Sequence, residues 1–104
     1  MGFQVFLSGA ALNDLEAAVA YIAPHNPPAA ERFGTNLLDE ALSLEVFPAR
    51  GRIVPEFSNP DLREILFGPY RIVYRINHTS RAVEILRFWH AARGEPELDS
   101  EVTQ

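Results

Sequence analysis

Halfway along the chain the hydrophobic period changes, and few folds accommodate that change. Up to about residue 47 the apolar side chains recur every three or four positions. Between residues 62 and 90 they alternate. The first pattern is the signature of amphipathic helices and the second of half-buried strands. With 104 residues there is room for one core only, so both halves must share it. Segregated helices and strands around a single core make an α+β fold.

The helical half opens with a strand. FQVFLS (3–8) places Phe3, Val5 and Leu7 on one side and Phe6 on the other. Ser8 is positioned to cap the helix that follows. Leu12, Leu15, Val19 and Ile22 then recur at helical spacing, with Asp14 and Glu16 near the positive end, and Pro24 marks the stop. Asn26-Pro27 starts a second helix, Asn as N-cap and Pro in the first turn. Its apolar stripe is Ala30, Phe33, Leu37, Ala41 and Leu44, and Pro48 ends it. Gly34 inside a helix costs about 1 kcal/mol against Ala, which predicts close helix contact there. A short connection makes the two helices an antiparallel hairpin.

In the second half, GRIVPEF (51–57) contains Pro55, which restricts it to a loop or edge strand. LREILF (62–67) reads as a strand and Gly68-Pro69 as a tight turn. YRIVYRI (70–76) sets Tyr70, Ile72, Tyr74 and Ile76 against Arg71, Val73 and Arg75. NHTSR (77–81) is a turn and AVEILRFWH (82–90) the last strand. The order is β-α-α-β-β-β: an antiparallel sheet of three or four strands, with the helical hairpin on one face. Strict alternation along the last strand gives one face of Val83, Ile85, Arg87 and Trp89 and another of Glu84, Leu86, Phe88 and His90. Neither is purely polar, as a face open to water would be. Either the chain's own tail or another chain covers the second face.

Charge is distributed unevenly. Residues 1–49 hold six acids and Arg32; residues 50–93 hold eight Arg and four acids; residues 94–104 hold Glu95, Glu97, Asp99 and Glu101. The parts carry −5, +4 and −4. A single domain over 1–93 with an acidic, flexible tail over 94–104 follows. The chain has no Cys, which removes disulfides, thiolate metal sites and a thiol nucleophile. It has no Lys, which removes an amine nucleophile. His25, His78 and His90 lie in separate segments without metal-ligand spacing, and no phosphate-cradling Gly loop is present. No metal and no cofactor is expected. No run approaches the roughly 20 apolar residues of a membrane span, and the N-terminus lacks signal-peptide character. The expectation is a cytoplasmic protein without membrane contact. The overall acidity argues against direct DNA binding.

The opening strand ending in LS, then DLEAAVAYIA, NPPAAERF, GRIVPE, LREI, YRIVYRI and VEILRFWHAAR, in this order over residues 3–93, resemble the RelE/ParE superfamily of toxins from type II toxin–antitoxin systems. GRIVPE and FWHAAR look like the ParE branch. The resemblance implies a toxin neutralised by a cognate, ParD-like antitoxin with an acidic C-terminal segment, in a hetero-oligomeric complex. For the ParE branch it implies DNA gyrase as the target. The RelE alternative is a ribosome-dependent endoribonuclease acting on mRNA; a third reading is an inactive antitoxin-binding module.

RNA cleavage by the 2′-hydroxyl needs a base, an acid and cationic donors on the phosphate. By resemblance these roles fall to Glu56, Arg71 and His90. Under the binding reading, Arg63, Arg71, Arg75, Leu86 and Phe88 are the expected antitoxin contacts, since an Arg-rich sheet face suits an acidic partner. Arg87, Trp89, His90 and Arg93 are the expected target contacts, since Arg and Trp are favoured interface anchors.

Overall fold

The computed structural model describes residues 2–99. Its elements are β1 (Gln4–Leu7), α1 (Gly9–Ile22), α2 (Pro27–Leu42), β2 (Arg52–Ile53), β3 (Leu62–Phe67), β4 (Tyr70–Asn77) and β5 (Ala82–His90), with 3-10 turns at Ser43–Glu45, Pro48–Arg50 and Ala91–Arg93. The α+β fold with a helical hairpin on one sheet face stands as the sequence indicated. The sheet has five strands, ordered β1-β5-β4-β3-β2. It is mixed, because β1 pairs parallel to β5 while the other neighbours are antiparallel. Both differences from three or four antiparallel strands have local causes. The whole helical hairpin separates β1 from the meander, and it is a crossover long enough for a parallel pairing. Pro55 cuts β2 to two residues and confines it to the edge.

Both caps form as their residues dictate. The Ser8 hydroxyl accepts the Ala11 N–H and donates to the Leu86 carbonyl, so one side chain starts α1 and pins it to β5. Asn26 accepts the Ala29 N–H. The α2 stripe packs as expected, with Ala30, Leu37, Ala41 and Leu44 all buried. On α1 the buried line runs one residue earlier, through Ala11 and Ala18, and Leu12 is 48 % exposed. Spacing fixes the period of a helix face; small Ala residues fix its phase, because they let the helix approach the sheet. A Cβ on Gly34 would sit 2.7 Å from Val19 Cγ2, which is the close contact the mid-helix glycine implied.

The main core lies between the hairpin and the sheet: Ala11, Leu37, Ala41 and Leu44 against Ile72, Tyr74, Ile76, Val83, Ile85 and Phe88. A second cluster lies on the opposite face: Val54, Leu62, Val73 and Leu86, with Phe57 and Leu98 against it. Tyr74 ties the two halves together. Its hydroxyl accepts the Gly51 N–H at 3.0 Å and donates to the Pro48 carbonyl. A Cβ at Gly51 would lie 2.6 Å from the Glu64 carbonyl oxygen, so the strand entry needs glycine.

The mixed faces of β5 have a physical origin. Val73 pairs with Arg87 but Tyr74 pairs with Ile85, so a bulge leaves one extra residue, Leu86, on β5. The bulge switches parity. Val83, Ile85, Phe88 and His90 face the helices; Glu84, Leu86, Arg87 and Trp89 serve the other side. Reading strict alternation through the strand placed Arg87, Trp89, Phe88 and His90 on the wrong faces.

Candidate functional site

The second face is built from charges that meet. Arg71 on β4, Glu64 on β3 and Arg52 on β2 project to the same side because their strands pair in register. Glu56 reaches in from the loop after β2. Arg71 Nε donates to Glu64 at 2.6 Å, and its two terminal nitrogens donate to both Glu56 oxygens at 2.9 and 2.6 Å. A fourth bond goes from Arg71 to the Gly94 carbonyl at 3.1 Å. Arg52 donates to the second Glu64 oxygen at 2.6 Å. Arg71 is 6 % exposed and Glu64 1 %.

The fork of Arg71 holds the Glu56 carboxyl below the usual carboxylate range, and both carboxylates hold the Arg71 guanidinium charged against the cost of its burial. A guanidinium committed in four directions has little left for a phosphate. The two neighbouring arginines are also matched: Arg75 with Glu84 at 2.8 Å, and Arg87 with Asp14 through two bonds of 2.7 and 2.9 Å. Four guanidinium groups (52, 71, 75, 87) thus meet four carboxylates (14, 56, 64, 84), and this face carries no net charge from them.

The expected residues divide between the two faces. Glu56 and Arg71 come together. His90 does not join them: it lies on the helix side, its ring 5.2 Å from Tyr70. Arg71, Arg75 and Leu86 share the second face. Arg63 is on the other, where it donates to the carbonyls of Pro60, Ala49 and Gly51. Phe88 sits in the main core and Leu86 under Leu98, so neither presents a surface to a partner. Arg87 and Arg93 hold their guanidinium groups 4.7 and 3.8 Å from the Trp89 ring centre. Trp89 itself is buried and donates its indole N–H to the Gly94 carbonyl.

Sequence reasoning missed Glu64 and Asp14. Glu64 was detectable: an acid alternating in phase with Leu62 on a strand points the same way. Asp14 was read only as a helix-start charge, yet it takes Arg87 and the Phe88 N–H, a contact across 74 residues that no local signal carries. Residues 94–99 were expected to be flexible. They cross the second face, held at Gly94 as above, by the bond from Arg87 to the Glu97 carbonyl, and by Leu98 against the second cluster. The chain's own tail is therefore what covers Leu86. Glu101 and its neighbours from 100 to 104 lie outside the described residues.

On the helix side, His90 and Arg93 border a cleft of about 180 Å³ with Asp14, Tyr21, Tyr70 and Phe88. Burial, and secondarily the Asp14 carboxylate, push the Tyr70 phenol above its usual range, so it stays protonated. Among the described residues no group of three or more His, Asp or Glu is placed to hold a metal ion, and no helix is long and apolar enough to cross a membrane.

A family model described as the ParE toxin of the type II toxin–antitoxin system, parDE, matches residues 5–94. Toxin RelE2 of Caulobacter vibrioides is 38 % identical over 91 residues, covering 86 % of this chain and 97 % of its own. Toxin RelE1 of the same organism is 37 % identical over 93 residues, covering 86 % and 95 %. Among solved structures, the chromosomal ParDE system from P. aeruginosa superposes with a TM-score of 0.71 at 18 % identity over 85 % of this chain and 95 % of that one. The RelBE2 toxin–antitoxin complex from Mycobacterium tuberculosis gives 0.64 at 25 % identity over 86 % and 99 %.

Proposed function

Because the chain belongs to the ParE toxin family of type II toxin–antitoxin systems, we propose that it acts by binding a protein target, DNA gyrase, and is held inactive by a ParD-like antitoxin. One observation carries the binding reading. The residues a ribonuclease would need are divided between the two sides of the sheet: His90 with Tyr70 on one, Arg71 with Glu56 on the other. Arg71 is moreover spent on two carboxylates and a carbonyl. A phosphate would have to displace Glu56 from Arg71, and His90 would have to reach it through the sheet. Protein binding asks for no such assembly.

The test is to induce the chain without its antitoxin. Loss of DNA supercoiling and filamentation while message stays intact is the expected outcome. Purified gyrase supercoiling plasmid DNA at an unchanged rate in the presence of the chain would overturn the gyrase assignment.

The RelE reading keeps two supports of its own. The two Caulobacter relatives are toxins named RelE, and Glu56 beside Arg71 is a carboxylate–guanidinium pair a nuclease could use. Its test is direct: purified ribosomes translating a defined message, with and without the chain. Cleavage that disappears in folded Glu56→Ala and folded His90→Ala would establish it. Uncut message at stoichiometric toxin would dismiss it.

A further inference from the structure

The cleft between α1 and the end of β5 has an imbalance of donors over free carboxylates. Its one carboxylate, Asp14, is already paired: one oxygen takes Arg87, and the other takes both Arg87 and the Phe88 N–H. Its donors are not used. His90 accepts the Ala92 N–H at Nδ1, which puts the ring proton on Nε2, and Nε2 has no partner among the described residues. The hydroxyls of Tyr21 and Tyr70 have none either. Arg93 has no carboxylate among the described residues; its guanidinium carbon lies 3.8 Å from the Trp89 ring centre, and a guanidinium over a ring keeps N–H groups for a further partner. Two groups that can only donate, His90 Nε2–H and the Arg93 guanidinium, and two hydroxyls that can donate or accept thus belong to residues lining a space of about 180 Å³ whose one carboxylate is already paired. Such a cleft favours a group that accepts hydrogen bonds.

The charge count narrows the choice. Asp14 and Arg87 cancel, which leaves the single charge of Arg93. Tyr21 is in the last turn of α1, where the helix carbonyls carry partial negative charge. One cation facing a negative helix end suits a monoanion better than a dianionic phosphate. The aromatic walls, with Tyr21 82 % exposed at the rim, suit the hydrocarbon part of a side chain.

We infer that this cleft receives a carboxylate, an Asp or Glu side chain or a chain terminus, from the toxin's protein target, with Arg93 and His90 Nε2 as its principal donors. This rests on the reading that the chain acts by binding a protein. It adds the chemistry of the contact and separates it from the second face, where the arginines are already paired.

The experiment titrates the full chain with benzoate and, separately, with phenyl phosphate, following the side-chain resonances of His90, Tyr21 and Arg93 by NMR. Benzoate should give saturable shifts confined to this cleft, and Arg93→Gln should weaken it by about tenfold, the loss of one charge-assisted contact. Arg93 is exposed and has no ion pair among the described residues, so the variant loses only its contact with Trp89 and should melt within a few degrees of the parent. If it does not, Tyr21→Phe removes one rim donor without touching the fold and should weaken benzoate by a smaller factor. In cells, folded Arg93→Gln should still bind antitoxin and lose growth arrest.

No saturable shift with benzoate, or benzoate affinity indifferent to Arg93→Gln, would overturn the site. Phenyl phosphate binding about tenfold tighter than benzoate would overturn the carboxylate and point to a nucleic-acid phosphate. Undiminished growth arrest by Arg93→Gln would overturn the link to the target. The titration needs no gyrase. A negative supercoiling assay therefore leaves the cleft standing, and a negative titration leaves the gyrase proposal standing.

Discussion

The two faces of the sheet solve the same problem by opposite means. Against the hairpin, Ile72, Tyr74, Ile76, Val83 and Ile85 meet Leu37, Ala41 and Leu44, all apolar. On the other side the strands carry Arg and Glu at the same two-residue period, and the central pair is removed from water nearly as completely while Arg52 and Arg75 stay partly exposed. Arg71 and Glu64 are as buried as core residues. The difference lies in what each face tolerates. A missing methyl on the helix side leaves a void. A missing charge on the other side leaves its buried partner ionised and short of a counter-charge, which costs more.

The largest effect should therefore come from the charged face. Arg71→Ala leaves Glu64, buried at the sheet centre, with only the half-exposed Arg52 as counter-charge and should destabilise the fold by about 3 kcal/mol, measured by urea denaturation. Replacing Arg71 and Glu64 together by Met and Leu should recover most of that, because no buried charge remains. A double variant as unstable as the single would show that packing, not the orphaned charge, dominates there.

Leu37→Ala tests the apolar face. Leu37 is fully buried, and truncation should cost about 2–5 kcal/mol depending on how far α2 settles into the space. A variant that melts with the parent would mean that the hairpin does not carry the core.

Much of this contrast was legible in the sequence. The helical stripe of α2, the caps at Ser8 and Asn26 and the alternation of β4 all come from local rules, and all appear as those rules require. The site was less legible. The bulge at Leu86 depends on register between β4 and β5, and alternation alone cannot reveal one extra residue. The eight arginines of residues 50–93 suggested a cationic face. Sequence shows their number but not their partners, and the partners of Arg71 and Arg87 lie 7, 15 and 73 residues away. Arg63 differs again, because it is one residue out of phase with Glu64 and so faces the other way.

Acid should weaken the charged face before the apolar one. Glu56 is held below the usual carboxylate range by Arg71, so its pairing stabilises the fold fully above the ordinary Glu pKa of about 4.3. That contribution is lost as pH falls through the lower, folded value. Glu56 is about a quarter exposed, which limits the effect to about 1 kcal/mol. Glu56→Gln should flatten that part of the stability profile below pH 5 and leave the Leu37→Ala penalty unchanged. An acid limb of unchanged slope in Glu56→Gln would place the titrating group elsewhere.

The smallest effect is the most informative about recognition. Arg75 and Arg71 alternate on the same strand and read as equals in the sequence. Arg75, however, is 41 % exposed and pairs with a partly exposed Glu84. An exposed cross-strand pair contributes about 0–1 kcal/mol, so Arg75→Ala should melt within a few degrees of the parent. It should also change antitoxin association little. A face whose four arginines are matched by four carboxylates projects a weak field, and steering follows the net field rather than the number of cations. Association rates measured from low to about 0.15 M salt should accordingly show nearly the same slope for Arg75→Ala and parent. A slope clearly reduced in the variant would mean that Glu84 releases Arg75 as an acidic segment approaches. The pair would then be an occupied docking site, and the difference between the two faces would lie in which contacts a partner can exchange as well as in which are buried.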